Sequence, residues 1–246
     1  MTAHEDGTPR LPREPALARY GRWPVILGLL VGVVILSSLL ALPVLLIFAL
    51  GSEAAVLENP FTLFMVILLE DAVFLGVIYF VLIYRGVTSW KDMGLGRISR
   101  RSIGQGLLWG VSFVVVSALL EFLLATLGVD QTQAAQFPIG RAGGVAGVVA
   151  IWIAGVVFAP FTEEVFFRGY VFRALSLRKG WVKGLVYSSL LFGAVHLNAA
   201  AFLPITVGAA MLALGYHRSG DLWVPIIGHA FNNAVAFTLL TLSVYA

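Results

Sequence analysis

The chain has 246 residues, of which 59% are hydrophobic and 12% are charged, and its formal net charge is +3. Soluble globular domains are about 45–50% apolar and about 25% charged, so this composition excludes a soluble enzyme, a nucleic-acid-binding protein and a disordered chain. The sequence contains no cysteine, which excludes disulfides, a thiol nucleophile and a cysteine-ligated metal. These exclusions leave a membrane protein.

Seven apolar segments follow one another along the chain, and a helix needs about 20 apolar residues to span a bilayer. Residues 1–22 form a polar tail that is expected to be cytoplasmic, and residues 23–246 form a single transmembrane domain. A bilayer admits only helices and closed barrels, and these segments lack the alternation of barrel strands. We therefore predict an all-α, polytopic bundle of about seven membrane-spanning helices, at residues 24–50, 61–84, 103–127, 143–171, 183–203, 204–217 and 222–245.

The positions of lysine and arginine predict the orientation of the chain, because cytoplasmic loops are enriched in both residues. Fifteen of the sixteen basic residues lie in the tail or in alternate segments, and only Arg141 lies on the other side. This alternation predicts a cytoplasmic N-terminus and an external C-terminus. The bias towards Ala, Gly, Leu and Val favours a multi-pass protein of a bacterial cytoplasmic membrane.

Two acids and an arginine interrupt the fourth apolar segment. Ionisable residues inside a span cost about 2.5–3.5 kcal/mol each on insertion scales, so retained ones are candidate functional groups. Glu164 and Arg168 lie four residues apart, which predicts an ion pair on one helix face, while Glu163 points about 100° away. The alternative is a solvated helix end, but the apolar character continues to Phe172.

Histidines mark the fifth and seventh segments. His196 follows Phe192 by four residues, and His229 precedes Asn233 by four residues on one helix face. Alone, His196 is more typical of a buried histidine bonded to a neighbouring helix, and His229 with Asn233 is equally typical of polar packing between helices. At 1.5 Å per residue, Glu163, His196 and His229 lie about 15, 20 and 10 Å inside the cytoplasmic edge. These depths allow one shared site.

Three further acids lie in predicted spans but belong to no motif that we can match. Glu70 and Asp71 are neighbours in the second segment, and Glu121 lies in the third. We interpret all three as structural or accessory residues that face a polar cavity or cap the bundle.

Together and in this order, the three motifs resemble the CAAX-protease and bacteriocin-processing (CPBP) family, also called the Abi family or the type II CAAX prenyl endopeptidases. The resemblance covers about residues 103–245. It implies an intramembrane endopeptidase that hydrolyses a peptide bond of a peptide or protein in or at the membrane. The matching motifs are Glu163-Glu164-x-x-x-Arg168, Phe192-x-x-x-His196 and His229-x-x-x-Asn233.

The resemblance also implies a role for each motif residue. Glu163 is the catalytic glutamate and works with His196 to activate water. His229 and Asn233 stabilise the oxyanion of the tetrahedral intermediate. The supporting residues are Glu164 and Arg168, which orient the first motif and balance its charge.

Metal dependence stays open at this point, because the family also carries the label metalloprotease. Glu163, His196 and His229 could serve as zinc ligands, since three protein ligands and a water are typical of catalytic zinc. The same residues also support a metal-free mechanism, which we favour. The expected cofactor is therefore none or zinc, and the sequence predicts no oligomeric state.

Two other functions fit parts of the sequence. A non-catalytic membrane scaffold or bacteriocin self-immunity factor with the same fold is the main alternative, although it gives little reason to keep every motif residue. A transporter with a proton-coupled carboxylate at Glu70, Asp71 or Glu163 explains the acids but not the histidines. As substrates, we favour bacteriocins or signalling peptides over the prenylated C-terminal tetrapeptide that eukaryotic relatives cleave.

Overall fold

The structure is a computed structural model that describes residues 14–49, 60–129 and 145–245. Predictions for residues 1–13, for the connecting segments 50–59 and 130–144, and for Arg141 lie outside the described residues. Every regular element within the described ranges is helical.

Eight helices account for the described chain. Five of them, α2, α3, α4, α5 and α8, are long and apolar enough to cross a membrane, and α6 is a shorter apolar helix. The predicted helical membrane bundle is therefore confirmed, whereas the count of about seven crossings stays a prediction. The helices are α1 (Glu14–Tyr20), α2 (Trp23–Ala49), α3 (Pro60–Val77, continued by the π-helical turn Ile78–Ile83), α4 (Arg100–Thr126), α5 (Val145–Lys179), α6 (Trp181–Val195), α7 (Phe202–Ser219) and α8 (Trp223–Tyr245).

The fifth apolar segment ends earlier than the sequence suggests. Helix α6 stops at Val195, and Leu197 adopts a left-handed φ of 51°. A side chain with a positive φ is uncommon and interrupts a right-handed helix. In the segment between α6 and α7, the Ala201 amide donates a hydrogen bond of 3.1 Å to Asn198 Oδ1. His196 consequently lies at the end of α6 rather than within it.

Glycines allow the backbones of α4 and α8 to pack closely against each other. A Cβ atom added to Gly106 would come within 2.6 Å of the Ile227 Cβ, and one added to Gly110 would come within 3.0 Å of the Gly228 carbonyl oxygen. Small residues are the usual means of close helix packing in membranes. This contact fixes the helix that carries His229.

The loop between α3 and α4 is fastened to the turn between α7 and α8. The Trp223 indole donates a hydrogen bond of 2.9 Å to the Gly96 carbonyl, and the Tyr216 hydroxyl donates one of 2.8 Å to the Met93 carbonyl. These bonds hold the first turn of α8 in place. They therefore fix how far along the axis of α8 His229 lies, six residues after Trp223.

The N-terminal helix α1 packs against the distal end of α5. Leu17 is buried, and the Tyr170 hydroxyl donates a hydrogen bond of 3.0 Å to the Tyr20 carbonyl. Part of the segment predicted as a polar tail is thus an ordered helix of the bundle.

Candidate active site

Helix α5 widens on both sides of the acidic motif. Residues Ala154–Phe158 and Val165–Phe172 are π-helical, and the α-helical turn Ala159–Glu164 lies between them. Short π-helical insertions are rare and are frequently found at functional sites. They also change the angular spacing of side chains around the helix axis. The regular α-helical spacing of about 100° per residue therefore cannot be used to predict side-chain directions across them.

Glu164 and Arg168 form the ion pair that their spacing predicts. Arg168 Nη1 lies 2.7 Å from Glu164 Oε1, and both side chains are almost completely buried. Arg168 Nη2 donates a second hydrogen bond of 2.9 Å to the Ala209 carbonyl of α7. A buried ion pair is tolerated when its geometry is good and its remaining polar atoms are hydrogen-bonded. The second bond of Arg168 contributes to this, whereas Glu164 Oε2 is buried without a hydrogen-bond partner among the described residues.

Glu164 also holds a histidine. His229 Nδ1 lies 2.9 Å from Glu164 Oε1, the same oxygen that Arg168 contacts. A carboxylate oxygen accepts hydrogen bonds, so His229 Nδ1 carries a hydrogen and is the donor of this bond. This bond fixes the tautomer and the orientation of the imidazole, and it gives Glu164 a positioning role that the sequence did not reveal.

The second ring nitrogen of His229 faces Glu163. His229 Nε2 lies 3.8 Å from Glu163 Oε2. The two neighbouring glutamates differ sharply in accessibility, because the Glu163 side chain is 29% exposed and the Glu164 side chain is fully buried. Glu163 is therefore the carboxylate of this motif that a substrate or a water molecule can reach.

Phe192 lies at the centre of the site. The guanidinium of Arg168 stacks over its ring at 4.7 Å from the centroid. The ring of His196 lies 4.8 Å from the Phe192 ring and the ring of His229 lies 6.0 Å from it, both measured between centroids. Phe192, the aromatic residue of the second motif, thus lies beside both histidine rings and packs against the guanidinium of the buried ion pair.

His196 is oriented by its own helix. Its Nδ1 lies 2.7 Å from the Phe192 carbonyl, so Nδ1 donates and, in the neutral ring, Nε2 keeps its lone pair. Within the described part of the chain, neither a hydrogen bond nor an ion pair joins His196 to Glu163. His229 is therefore the histidine that lies next to Glu163. His196 instead packs against the Phe192 ring, which also lies near the His229 ring.

Asn233 connects α8 to the first widened stretch of α5. Its side-chain amide donates a hydrogen bond of 2.8 Å to the Gly155 carbonyl. A Cβ atom on Gly155 would lie 2.5 Å from the Phe237 ring, so glycine permits this approach. One N–H of Asn233 is thus used for helix packing, and the second N–H stays available as a donor.

Two acids of α3 also face the site, although the sequence assigned them only an accessory role. Glu70 interacts electrostatically with His196. Asp71 interacts electrostatically with Glu163. Glu121 is exposed on α4, and none of its interactions in the described chain involves these groups.

The prediction that Glu163, His196 and His229 could serve as zinc ligands stays a prediction. Among the described residues, no three His, Cys, Asp or Glu side chains are placed to hold a metal ion. His229 turns Nδ1 towards Glu164, and His196 turns Nδ1 towards a backbone carbonyl. These bonds leave Nε2 as the free ring nitrogen of each histidine, an arrangement that suits a metal-free site and is also usual for metal-ligating histidines.

Comparison with known proteins agrees with the motif pattern. A family model described as "Type II CAAX prenyl endopeptidase Rce1-like" matches residues 145–235. YdiL of Bacillus subtilis (strain 168), a candidate membrane peptidase, is 26% identical over 140 residues, which cover 54% of this chain and 55% of the relative. The chain thus spans about half the length of this curated relative. No solved structure matches significantly. All three motifs lie inside the matched residues, so this integral membrane protein is similar to the Rce1-like type II CAAX prenyl endopeptidases in the part of the chain that carries its candidate site.

Proposed function

We propose that the protein is an intramembrane endopeptidase that hydrolyses a peptide bond with water activated by Glu163. The observation that carries this proposal is the pairing of an accessible carboxylate with an oriented histidine. Glu163 faces His229 Nε2 at 3.8 Å, while the other nitrogen of His229 is held by a buried carboxylate. The Rce1-like family match supports a peptidase.

Glu163 acts as the general base. It takes one proton from a water molecule, and the resulting hydroxide adds to the carbonyl carbon of the scissile bond. The same proton then passes from Glu163 to the departing amide nitrogen, so that the peptide C–N bond breaks and a carboxylic acid and an amine are released. Proton transfer by a positioned side chain contributes about 10²- to 10⁴-fold to such reactions.

His229 and Asn233 stabilise the oxyanion of the tetrahedral intermediate. Because Nδ1–H is committed to Glu164, His229 can donate to the oxyanion from Nε2 only when both ring nitrogens carry a hydrogen, and Nε2 is the nitrogen that faces the carboxylate of Glu163. Asn233 donates its second amide N–H. Fixed donors of this kind are worth about 10²- to 10³-fold each when they are removed from a hydrolase.

His196 assists the activation of water. Its Nδ1–H is held by the Phe192 carbonyl at 2.7 Å, which leaves Nε2 of the neutral ring as an acceptor for the attacking water. Glu163 and His196 thus bind the same water molecule from two sides, without direct contact between them.

The substrate is a peptide or protein segment in or at the bilayer. We propose a bacterial cytoplasmic membrane with the N-terminus in the cytoplasm, and peptide maturation such as bacteriocin or signalling-peptide processing as the biological role. The basic loop before α4 and the basic end of α5 lie on the proposed cytoplasmic side. Cleavage is therefore expected in the cytoplasmic half of the membrane.

The test is hydrolysis by purified protein in proteoliposomes. Three quenched-fluorescence peptides serve as probes: one with a farnesylated C-terminal tetrapeptide, the same peptide without the lipid, and a single apolar spanning segment. We expect cleavage of at least one of the unlipidated peptides by the wild-type protein. Glu163→Gln and His196→Ala should lower its rate by at least about 10²-fold.

Glu121→Gln is the matched control, because it makes the same change at another acid of a predicted span. It should leave the rate within about twofold of wild type. Full activity of Glu163→Gln would contradict the mechanism. An expressed protein that cleaves none of the three peptides, and whose cellular phenotype survives Glu163→Gln, would favour the scaffold or immunity function.

A further inference from the structure

An apolar groove opens on the bundle where α3, α5 and α8 meet the loop between α3 and α4. Its volume is about 600 Å³, which lies within the range of about 300–1,000 Å³ that small-molecule sites occupy. Its walls come from four different parts of the chain and include Gly76, Tyr79, Trp90, Leu95, Phe161 and Trp223.

The groove offers almost no polar surface to an occupant. The indole N–H of Trp223 is already bonded to the Gly96 carbonyl at 2.9 Å. A peptide segment would bring backbone N–H and C=O groups that need partners in apolar surroundings, and a bound water needs about two to four polar partners. A hydrocarbon chain needs neither, so the groove suits a lipid tail.

The walls of the groove are held in place. The Leu95 amide donates a hydrogen bond of 2.9 Å to the Trp90 carbonyl, which closes the turn that carries both lining residues. The rings of Phe161 and Trp223 pack with their centroids 6.2 Å apart. Together with the bonds that fasten this loop to α7 and α8, these contacts make the groove a preformed feature of the bundle.

Exposed cations lie beside the groove in the same loop. Residues 85–102 contain five basic residues and one acid. Lys91 directly follows Trp90, and Arg97 lies two residues after Leu95. Both side chains are exposed, and no ion pair within the described ranges involves either. Membrane topology explains basic residues on this side of the bundle, whereas their position beside an apolar groove is typical of sites for anionic lipid headgroups.

We propose that this groove binds one anionic phospholipid of the bilayer. A hydrocarbon tail lies against Gly76 and Phe161. The phosphate headgroup lies beside Lys91 and Arg97. Gly76 is seven residues before the end of the π-helical turn at Ile83, which places this part of the groove about 10 Å from the loop along the helix. The inference concerns a site outside the proposed hydrolytic machinery.

The charged headgroup gives the site its selectivity. A lipid tail leaves surroundings that are as apolar as the groove, so its transfer gains little from the hydrophobic effect, and contact with the groove walls holds it. The two interactions can therefore be removed separately, the first by neutralising the cations and the second by filling the groove.

Gly76→Leu fills the groove. Gly76 lines it, and a Cβ atom added there would meet nothing within 4 Å. Gly28→Leu is the matched control, because it makes the same change at a glycine of α2 that also has nothing within 4 Å and is not part of the groove.

Lys91→Gln/Arg97→Gln removes the two cations beside the groove. Arg19→Gln/Lys183→Gln is its control, since it removes the same charge from exposed residues of α1 and α6, which do not line the groove. Because Lys91 and Arg97 are exposed, this pair tests the proposal even if Gly76→Leu fails to fold.

Native mass spectrometry of the full chain in a neutral detergent measures the binding. Titration with phosphatidylglycerol and with phosphatidylcholine gives a Kd for the first bound molecule of each lipid. The wild-type protein should bind phosphatidylglycerol at least about tenfold more tightly, because two cations beside one headgroup have an effect of this size. Lys91→Gln/Arg97→Gln should remove most of this preference. Gly76→Leu should weaken binding of both lipids by about fivefold or more, and both controls should stay within about twofold of wild type.

Three results would overturn the proposal. One is an equal loss of preference in Arg19→Gln/Lys183→Gln, which would indicate general attraction to a basic surface. Another is wild-type affinity for phosphatidylglycerol in folded Gly76→Leu. The third is a Gly76→Leu protein that binds phosphatidylglycerol normally but no longer binds the farnesylated peptide, which would assign the groove to the lipid of a substrate. No peptide cleavage enters the lipid titrations, so their outcome is independent of the proposed hydrolysis.

Discussion

His229 Nδ1 donates a hydrogen bond of 2.9 Å to Glu164 Oε1, and Arg168 Nη1 contacts that same oxygen at 2.7 Å. One buried oxygen thus orients the imidazole on α8 and neutralises the guanidinium on α5. The two functions of Glu164, charge balance and histidine orientation, cannot be changed independently. This relationship links the stability of the bundle to the geometry of the site.

Loss of the Glu164 charge should destabilise the protein strongly. Glu164→Gln leaves the Arg168 guanidinium buried without its counter-ion, which costs about 3–5 kcal/mol when one partner of a buried pair is removed. Glu164→Gln/Arg168→Met should recover part of this loss, because it removes both charges. Apparent Tm in detergent is the measurement, and a double variant less stable than Glu164→Gln would contradict the buried pair.

Asn233 and Asn232 offer a comparison between neighbours. Asn233→Ala removes the hydrogen bond to the Gly155 carbonyl and should lower stability by about 1 kcal/mol, which is typical of hydrogen bonds between membrane helices. It should also lower kcat, since it removes a proposed oxyanion donor. Asn232→Ala leaves the Gly155 bond intact and should have a smaller effect on both. Equal effects of the two variants would argue against the role of Asn233.

The contact between α4 and α8 can be tested with two glycines of α4. A Cβ atom on Gly110 would meet Phe231 at 2.9 Å, whereas one on Gly104 would meet nothing within 4 Å. Gly110→Ala should destabilise the protein by about 1–3 kcal/mol, the usual range for overpacking. Gly104→Ala should be neutral or slightly stabilising, because alanine favours the helix. Denaturant or thermal unfolding of the pair gives the comparison, and equal stabilities would contradict the close approach.

The sequence predicts most of what depends on hydrophobic length and local spacing. The first predicted span, 24–50, agrees closely with Trp23–Ala49, and the four-residue spacing of Glu164 and Arg168 correctly predicts their ion pair. Both are local properties: apolar run length determines a span, and helix periodicity determines a neighbour.

Relations between helices are not available from such patterns. The contact of His229 with Glu164 depends on the rotation of α8 and on the widened turns of α5, neither of which changes the apolar pattern. The placement of Asp71 and Glu70 near the site was missed for the same reason. The one available signal was energetic, since an acid pair in the middle of an apolar span is costly.

Metal dependence can be tested directly. We expect activity that survives dialysis against a zinc chelator within about twofold, and no stoichiometric zinc by elemental analysis of the purified protein. The basis of this expectation is that, among the described residues, no three His, Cys, Asp or Glu side chains are grouped so that they could hold a metal ion. Loss of activity on chelation and its recovery with added zinc would contradict this expectation.

We take Arg173, ten residues after Glu163, as the proposed cytoplasmic edge of α5, so hydrolysis at Glu163 requires that water reaches this depth. Because the chain contains no cysteine, Glu163→Cys introduces a single thiol whose reaction with a charged methanethiosulfonate reports this access. Val111→Cys is the depth-matched control, since Val111 is exposed on α4 and lies eleven residues from Arg100. In vesicles, we predict rapid modification of Glu163→Cys and none of Val111→Cys, with both thiols detected after denaturation. A Glu163→Cys thiol as unreactive as that of Val111→Cys would contradict water-based catalysis at this site.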